Sequence, residues 1–330
     1  MTRSSLLPVA VLCLLLLLAM GMSLCLGAQL YAPKLVLSAL FDRDPADPAQ
    51  QILWEMRLPR SLAAVVTGAA LGVSGQIMQA LTRNPLADPG LTGVNAGAAL
   101  AVVTALWLLG PIAPLQIAAV ALLGAGIATI LVRLLAGEGD SSLRLPLAGA
   151  ALASLCMALV ALIVLLNHEA RNLYRFWMVG SLALADVESL KIMTPLIAAG
   201  ILLALMMSRQ IEALLLGAEM GTALGLHPGR VLSLGFVTVT LCAGAAVALA
   251  GPVGFIGLIA PHLARALAPR AGLATWIACV CPLGAVLALV ADTLGRMVMR
   301  PGEAPLGIVL ALAGGPCFML LVRRMLRGRS

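Results

Sequence analysis

The sequence predicts an all-α polytopic membrane protein with ten transmembrane helices. Of its 330 residues, 62% are hydrophobic and 11% are charged, and the mean hydropathy is +1.06. A soluble domain is usually about a quarter charged and just under half apolar. The apolar residues also come in blocks of sixteen or more, and roughly 17–25 residues cross a bilayer as a helix. A water-filled globule with a single core is therefore excluded.

The predicted spans follow these apolar blocks. They cover 6–30, 61–81, 92–110, 114–135, 146–166, 190–208, 231–250, 253–268, 273–291 and 305–322. The first begins at a basic N-terminus but has no small-x-small cleavage site, so it is interpreted as an uncleaved span and not as a signal peptide. Stretches such as "GAALGVSG" and "LCAGAAVALAG" are rich in glycine and alanine, which lets helix backbones approach closely.

The charge distribution predicts the orientation. Ten spans put both termini on one side of the membrane. With the N-terminus inside, the inner segments carry twelve arginines and five acidic residues, whereas the outer segments carry nine basic and nine acidic residues. Basic residues favour the cytoplasm, so both termini are predicted to be cytoplasmic. The excess of arginines on the inner side accounts for the basic pI, so no nucleic-acid partner is needed to explain it.

The seven cysteines predict neither a disulfide framework nor a metal site. All of them lie in apolar segments, and none has a metal-type spacing to a histidine. They are interpreted as small apolar packing residues.

The connection "TRNPLADPGLTG", residues 82–93, falls between spans 2 and 3 on the inner side. Its Gly90–Gly93 stretch, GLTG, matches GFIG at Gly254–Gly257. Both follow a span rich in glycine and alanine, and the two spans run in opposite directions. This predicts an inverted repeat of spans 2–5 and 7–10, which is typical of transporters. Shared glycine and proline punctuation is the alternative explanation.

An ion-coupled carrier and an intramembrane enzyme are the alternatives to a transporter that is powered by a partner protein. The two lysines, Lys34 and Lys191, do not end a phosphate-binding loop, so this chain is not expected to hydrolyse ATP. Few ionisable residues lie within the spans, which disfavours an ion-coupled carrier but leaves it open. Ser74 in "GVSG" resembles a serine-hydrolase pattern, but no histidine base is expected nearby. Ser74 is interpreted as a packing residue.

Four longer stretches carry a resemblance to a known family. The stretch "MRLPRSLAAVVTGAALGVSGQIMQALTRNPLADPGLTGVNAGA" resembles the signature of the FecCD family of ABC permeases. The later stretches "GPVGFIGLIAPHLAR", "ADTLGRMV" and "GEAPLGIVLALAGGPCFMLLV" match the rest of the family pattern in order. The resemblance covers nearly the whole chain.

The resemblance implies a permease subunit with no enzyme activity of its own, forming a single transmembrane domain over 1–330. It implies a homodimer, two ATPase subunits that bind ATP and Mg²⁺, and a periplasmic substrate-binding protein. No cofactor is implied for this chain. The implied location is the bacterial inner membrane, and the implied cargo is a ferric siderophore, with haem and cobalamin as the other candidates. An ion-coupled secondary transporter is the alternative.

The resemblance also implies three groups of site residues. Arg57, Arg60 and Arg296 would meet acidic side chains of the binding protein, since guanidinium groups pair with carboxylates in a fixed geometry. Anchoring at the lipid headgroups is the alternative for Arg57 and Arg60. The cytoplasmic gate positions are Asn84, Leu86, Ser142 and Leu143.

The cytoplasmic segment 209–230 is implied to couple the permease to the ATPase. The residues of its coupling helix are Glu219, Met220, Gly221, Leu224, Gly225 and Leu226. The alternative is a helix that lies on the inner membrane surface, because an apolar face also suits lipid.

Overall fold

The computed structural model describes residues 3–137, 144–183, 185–299 and 302–327, and the chain is helical throughout these ranges, with short connections. Seven of its helices are long and apolar enough to cross a membrane. They are Leu7–Cys25, Pro48–Leu81, Pro114–Ala136, Arg144–Leu166, Val187–Leu215, Pro228–Ala250 and Leu273–Val298. Three further apolar helices are shorter: Val94–Leu109, Ile256–Leu267 and Leu306–Leu320. Each of the ten overlaps one predicted span.

Fifteen α-helices are labelled here in chain order. They are α1 (Arg3–Cys25), α2 (Pro33–Phe41), α3 (Pro48–Ile52), α4 (Leu58–Leu81), α5 (Val94–Leu109), α6 (Pro114–Ala136), α7 (Arg144–Leu166), α8 (His168–Met178), α9 (Val187–Leu215), α10 (Ala218–Ala223), α11 (Pro228–Val239), α12 (Ala245–Ala250), α13 (Ile256–Leu267), α14 (Leu273–Val298) and α15 (Leu306–Arg327). A π-helical turn at Leu53–Arg57 joins α3 to α4, and another at Thr240–Gly244 joins α11 to α12.

Helix α4 lies at the centre of the fold and packs against α14, α13, α9, α11 and α12. Its small residues permit this close packing. A Cβ added at Gly68 would lie 2.2 Å from the carbonyl oxygen of Gly284 on α14. At Gly75 it would lie 2.0 Å from the carbonyl oxygen of Gly257 on α13. The prediction that glycine lets the helix backbones touch is confirmed.

Helices α2, α3, α8 and α10 were not among the predicted spans. Helix α3 continues through the π-helical turn into α4, whereas the other three lie in the connections, and the longest of them, α8, has eleven residues. The Asn167 side chain caps α8 by accepting a hydrogen bond from Ala170 N at 2.8 Å, which satisfies one of the free N–H groups at the helix start. Helix α9 continues to Leu215, beyond the predicted end at residue 208. The predicted end at residue 208 is where the apolar block stops, but the polar residues that follow continue the helix.

Helix α13 is short because the chain enters it through the non-helical segment 251–255. Helix α12 ends at Ala250, and Phe255 has a φ of 70°, which is unfavourable for a bulky residue. A Cβ added at Gly314 of α15 would lie 2.8 Å from Phe255 Cβ, so glycine at that position leaves room for Phe255. The two segments matched in the sequence also meet, since a Cβ added at Gly257 would lie 2.9 Å from Pro89 Cδ.

Candidate functional site

Two clusters of predicted site residues lie at opposite ends of α4. Arg60 lies in its first turn and Arg83 lies two residues beyond its last residue, and a helix of this length spans about 36 Å. The end that carries Arg60 is called the Arg60 end, and the other is called the Arg83 end.

At the Arg60 end, the buried carboxylate of Asp292 lies between two arginines. Arg60 Nε donates to both carboxylate oxygens at 3.0 Å, and its Nη2 donates to Oδ1 at 2.9 Å. Arg296 Nε lies 3.1 Å from Oδ2. Arg60 Nη1 also pairs with Glu303 Oε2 at 2.5 Å. The two acids therefore balance the charges of Arg60 and Arg296.

Arg57 and Arg296 also have partners within the chain. Arg57 donates to the carbonyl oxygens of Leu24 at 2.7 Å and Gln29 at 2.6 Å. Its guanidinium carbon lies 4.1 Å from the centre of the Tyr31 ring, a cation–π arrangement. Arg296 Nη2 donates to Ser23 Oγ at 2.8 Å. These contacts tie α1 and the segment after it to α4 and α14.

Two of these three arginines are buried within the chain. Arg57 is 7% exposed and Arg296 is 3% exposed, whereas the Arg60 side chain is 12% exposed and also contacts the more exposed Glu303. A charged residue at a membrane edge was expected to face water or headgroups, but here it finds acceptors inside the protein. The i,i+4 spacing of Asp292 and Arg296 was the sequence signal that could have revealed their pairing. Nothing in the sequence pointed to Glu303.

At the Arg83 end, the turn 82–93 is held by its own side chains. Asn84 Oδ1 accepts a hydrogen bond from Leu86 N at 3.0 Å, and Asp88 Oδ1 accepts one from Gly90 N at 2.8 Å. Asn84 and Leu86 are both exposed. Burial raises the pKa of the Asp88 carboxyl above its ordinary value. The other two predicted gate residues, Ser142 and Leu143, lie outside the described residues.

Helix α10 presents an exposed apolar pair at the same end. Met220 is 54% exposed and Leu224 is 63% exposed, and Glu219 is exposed beside them. The helix ends in a Schellman motif, in which Leu226 N donates to Gly221 O and Gly225 N donates to Thr222 O. Gly225 has a φ of 78°, which glycine adopts without strain. The six predicted coupling residues therefore form one compact, capped turn.

Comparison with known proteins gives the family. The model of the FecCD transport family matches residues 14–324. The chain belongs to the FecCD transport family. Because the match covers both the Arg60 end and the Arg83 end, both clusters belong to the part of the chain that the family shares.

Several curated FecCD relatives are similar over almost their whole length. The ferric enterobactin transport system permease protein FepD of Escherichia coli is 40% identical, with 96% of this chain and 94% of that protein covered. The hemin transport system permease protein HmuU of Yersinia pestis is 37% identical, with 96% and 95% covered. The vitamin B12 import system permease protein BtuC of Salmonella paratyphi A is 36% identical, with 95% and 94% covered.

A solved structure also shares the fold. It is described as an inward-facing conformation of a metal-chelate type ABC transporter, and it is 28% identical with a TM-score of 0.84. The superposition covers 97% of this chain and 99% of the other. This chain is therefore a membrane-embedded transport permease of the FecCD family.

Proposed function

We propose that this chain is the transmembrane permease subunit of an ATP-binding-cassette importer that carries a bulky metal chelate from periplasm to cytoplasm. The observation that carries the proposal is the full-length similarity to permeases named for siderophore, haem and vitamin B12 uptake. Nothing in the fold favours the ion-coupled carrier. The buried charged residues among the described side chains are Arg57, Asp292 and Arg296, and all three lie at the Arg60 end and not in the middle of the bundle.

The proposed architecture is one domain over 1–330 with ten spans and an inverted repeat of spans 2–5 and 7–10. The three shorter apolar helices, α5, α13 and α15, would complete the ten. The match between Gly90–Gly93 and Gly254–Gly257 supports the repeat, because inverted repeats are common in transporter folds.

The proposed orientation places the Arg83 end in the cytoplasm, with both termini there, in a bacterial inner membrane. The arginine excess in the segments assigned to that side supports it. The Arg60 end would then face the periplasm and the binding protein.

The proposed partners are a second copy of this chain, two ATPase subunits that hold ATP and Mg²⁺, and a periplasmic binding protein. The segment 209–230 would couple to the ATPase through Met220 and Leu224, whose exposed apolar side chains suit a protein groove. The exposed Asn84 and Leu86 would form the gate where the two copies meet, together with Ser142 and Leu143.

The proposed docking surface for the binding protein is the Arg60 end. Arg60 is the arginine best placed for direct contact, because its Nη1 pairs with the partly exposed Glu303. A carboxylate of the binding protein would take over that contact. Arg57 and Arg296, which are buried, would hold the surface in shape behind it.

The test is reconstitution in proteoliposomes with the cognate ATPase and binding protein. A ferric siderophore is the first proposed cargo, and haem and cobalamin are tested in parallel. We expect uptake of one chelate that requires both ATP and the binding protein. Uptake by the permease alone, driven by a proton or sodium gradient, would show that the chain is a secondary carrier and overturn the proposal.

A further inference from the structure

A cavity at the Arg83 end carries four arginines. Its volume is about 1180 Å³, above the range of about 300–1,000 Å³ that is usual for ligand pockets. It lies between α4, α6, α7, α9 and α11. Its basic residues are Arg83, Arg133, Arg144, Arg230 and His227. No acidic side chain lines it within the described ranges.

The four arginines have unused hydrogen-bonding capacity. Arg83 Nη2 donates to Leu214 O at 2.7 Å, and Arg133 Nη1 donates to Gly137 O at 2.7 Å. Arg133 Nε is buried without a hydrogen-bond partner. None of the four forms an ion pair with another described residue. Since each guanidinium has five N–H donors and stays charged, the four arginines give the described cavity wall a strong positive charge and several N–H donors for an anion.

The cavity wall also carries apolar side chains that are at least partly exposed. They are Leu81, Leu214, Leu215, Leu232 and Leu234. A small soluble anion would use the arginines but leave this wall in contact with water. A ligand with a charged head and hydrocarbon chains uses both surfaces.

We propose that this cavity binds the phosphate headgroup of an anionic phospholipid, with an acyl chain lying along the apolar wall. One guanidinium group can donate two parallel hydrogen bonds to two oxygens of a phosphate group. Basic pockets between helices on the cytoplasmic side of a membrane suit such headgroups. The inference rests on the proposed orientation and not on the cargo or the ATPase. The lipid would hold α4, α6, α7, α9 and α11 together beside the turn 82–93.

The experiment uses the purified full-length chain in neutral detergent. Dioctanoylphosphatidylglycerol is titrated against dioctanoylphosphatidylcholine, which has the same chains but no net charge. We expect saturable binding of phosphatidylglycerol at least about tenfold tighter than that of phosphatidylcholine, which is about 1.4 kcal/mol. The double variant Arg133→Gln/Arg144→Gln should lose about tenfold in phosphatidylglycerol affinity and keep its weak phosphatidylcholine binding.

The matched control is Arg270→Gln/Arg323→Gln. It removes the same charge from exposed arginines that do not line the cavity, so the affinity for phosphatidylglycerol should stay unchanged. Arg133→Lys/Arg144→Lys keeps the charge but not the paired geometry and should fall between the two. If the Gln variant fails to fold, Ser233→Phe tests the same site by filling it, since Ser233 also lines the cavity.

Three outcomes overturn the proposal. The wild-type chain binds the two lipids equally. Inorganic phosphate or citrate binds as tightly as the lipid, which identifies a soluble anion as the ligand. The Arg133→Gln/Arg144→Gln variant keeps its lipid affinity but no longer assembles with the ATPase, which identifies an acidic protein surface as the occupant. Because none of these readouts measures uptake, failure of this inference is distinct from failure of the proposed function.

Discussion

Arg60 on α4 and Asp292 on α14 are 232 positions apart in the sequence, yet they form a two-pronged pair, in which Nη2 donates to Oδ1 at 2.9 Å and Nε donates to Oδ2 at 3.0 Å. Arg296 contacts the same carboxylate from one turn further along α14. One buried acid therefore serves two arginines and joins the two helices at the Arg60 end. This arrangement makes Asp292 more important for stability than either arginine alone.

Asp292→Asn should destabilise the protein strongly. It leaves two arginines at the Arg60 end without the carboxylate between them, and removing one partner of a buried ion pair costs about 3–5 kcal/mol. The measurement is the thermal unfolding temperature of the purified chain in detergent. Glu303→Gln is the control, because its pair with Arg60 is partly exposed and such pairs contribute about 0–1 kcal/mol. Equal losses in the two variants would contradict this role for Asp292.

Gly68→Ala should disrupt the contact between α4 and α14. The added Cβ would lie 2.2 Å from Gly284 O and 2.8 Å from Ala288 Cβ, so the helices must separate. Overpacking of this kind costs about 1–3 kcal/mol or more.

The matched control for Gly68→Ala is Gly126→Ala on α6, where the nearest atom would be 3.7 Å away. Alanine has the higher helix propensity, by about 0.8–1.0 kcal/mol, so this variant should be neutral or slightly more stable. Unfolding temperatures of both variants in the same detergent decide the matter. If Gly68→Ala is as stable as the control, the backbone contact does not constrain the fold.

The helical spans could be predicted from the sequence because each is a local property. Apolar block length fixed their positions, and the glycines of α4 indicated close packing before Gly284 was known to be the partner of Gly68. The environments of Arg57 and Arg296 could not be predicted. Their acceptors, Leu24 O and Ser23 Oγ, come from α1, and no local pattern links these positions.

The candidate sites show the same division between local and long-range information. The Schellman turn at Gly225 follows from a glycine after a short helix, which is a local pattern. The cavity does not follow from one, because Arg83 lies in the turn after α4, Arg133 in the last turn of α6 and Arg230 in the first turn of α11. From the sequence alone, these arginines predicted only the orientation of the chain in the membrane. Folding brings them to one place and leaves their charges unpaired within the described part of the chain.

Leu224→Glu should uncouple the permease from its ATPase. Leu224 is 63% exposed at the end of α10, so a charge there does not disturb the interior of the permease. In the proposed complex, the same charge would be buried without a partner in an apolar groove of the ATPase. We expect loss of substrate-stimulated ATP hydrolysis in the reconstituted complex, with normal amounts of permease in the membrane.

Leu224→Met is the control for this prediction. It keeps an apolar side chain of similar volume, and such exchanges usually cost less than about 1.5 kcal/mol. Stimulated hydrolysis should survive in this variant. Normal stimulation in Leu224→Glu would show that α10 lies on the membrane surface and does not couple to the ATPase.

Docking of the binding protein at the Arg60 end predicts opposite effects for two variants. Glu303→Gln frees Arg60 Nη1 for a carboxylate of the partner and should tighten capture of the binding protein.

The double variant Arg60→Gln/Glu303→Gln removes one charge of each sign and leaves Asp292 paired with Arg296. It should weaken capture about tenfold or more, because a lost interfacial charge pair costs about 2–5 kcal/mol when buried. Capture is measured by titration of the binding protein at several salt concentrations, and the double variant should lose part of the salt dependence seen in the parent. If neither variant changes capture while both fold normally, Arg60 has only a structural role and the docking proposal fails.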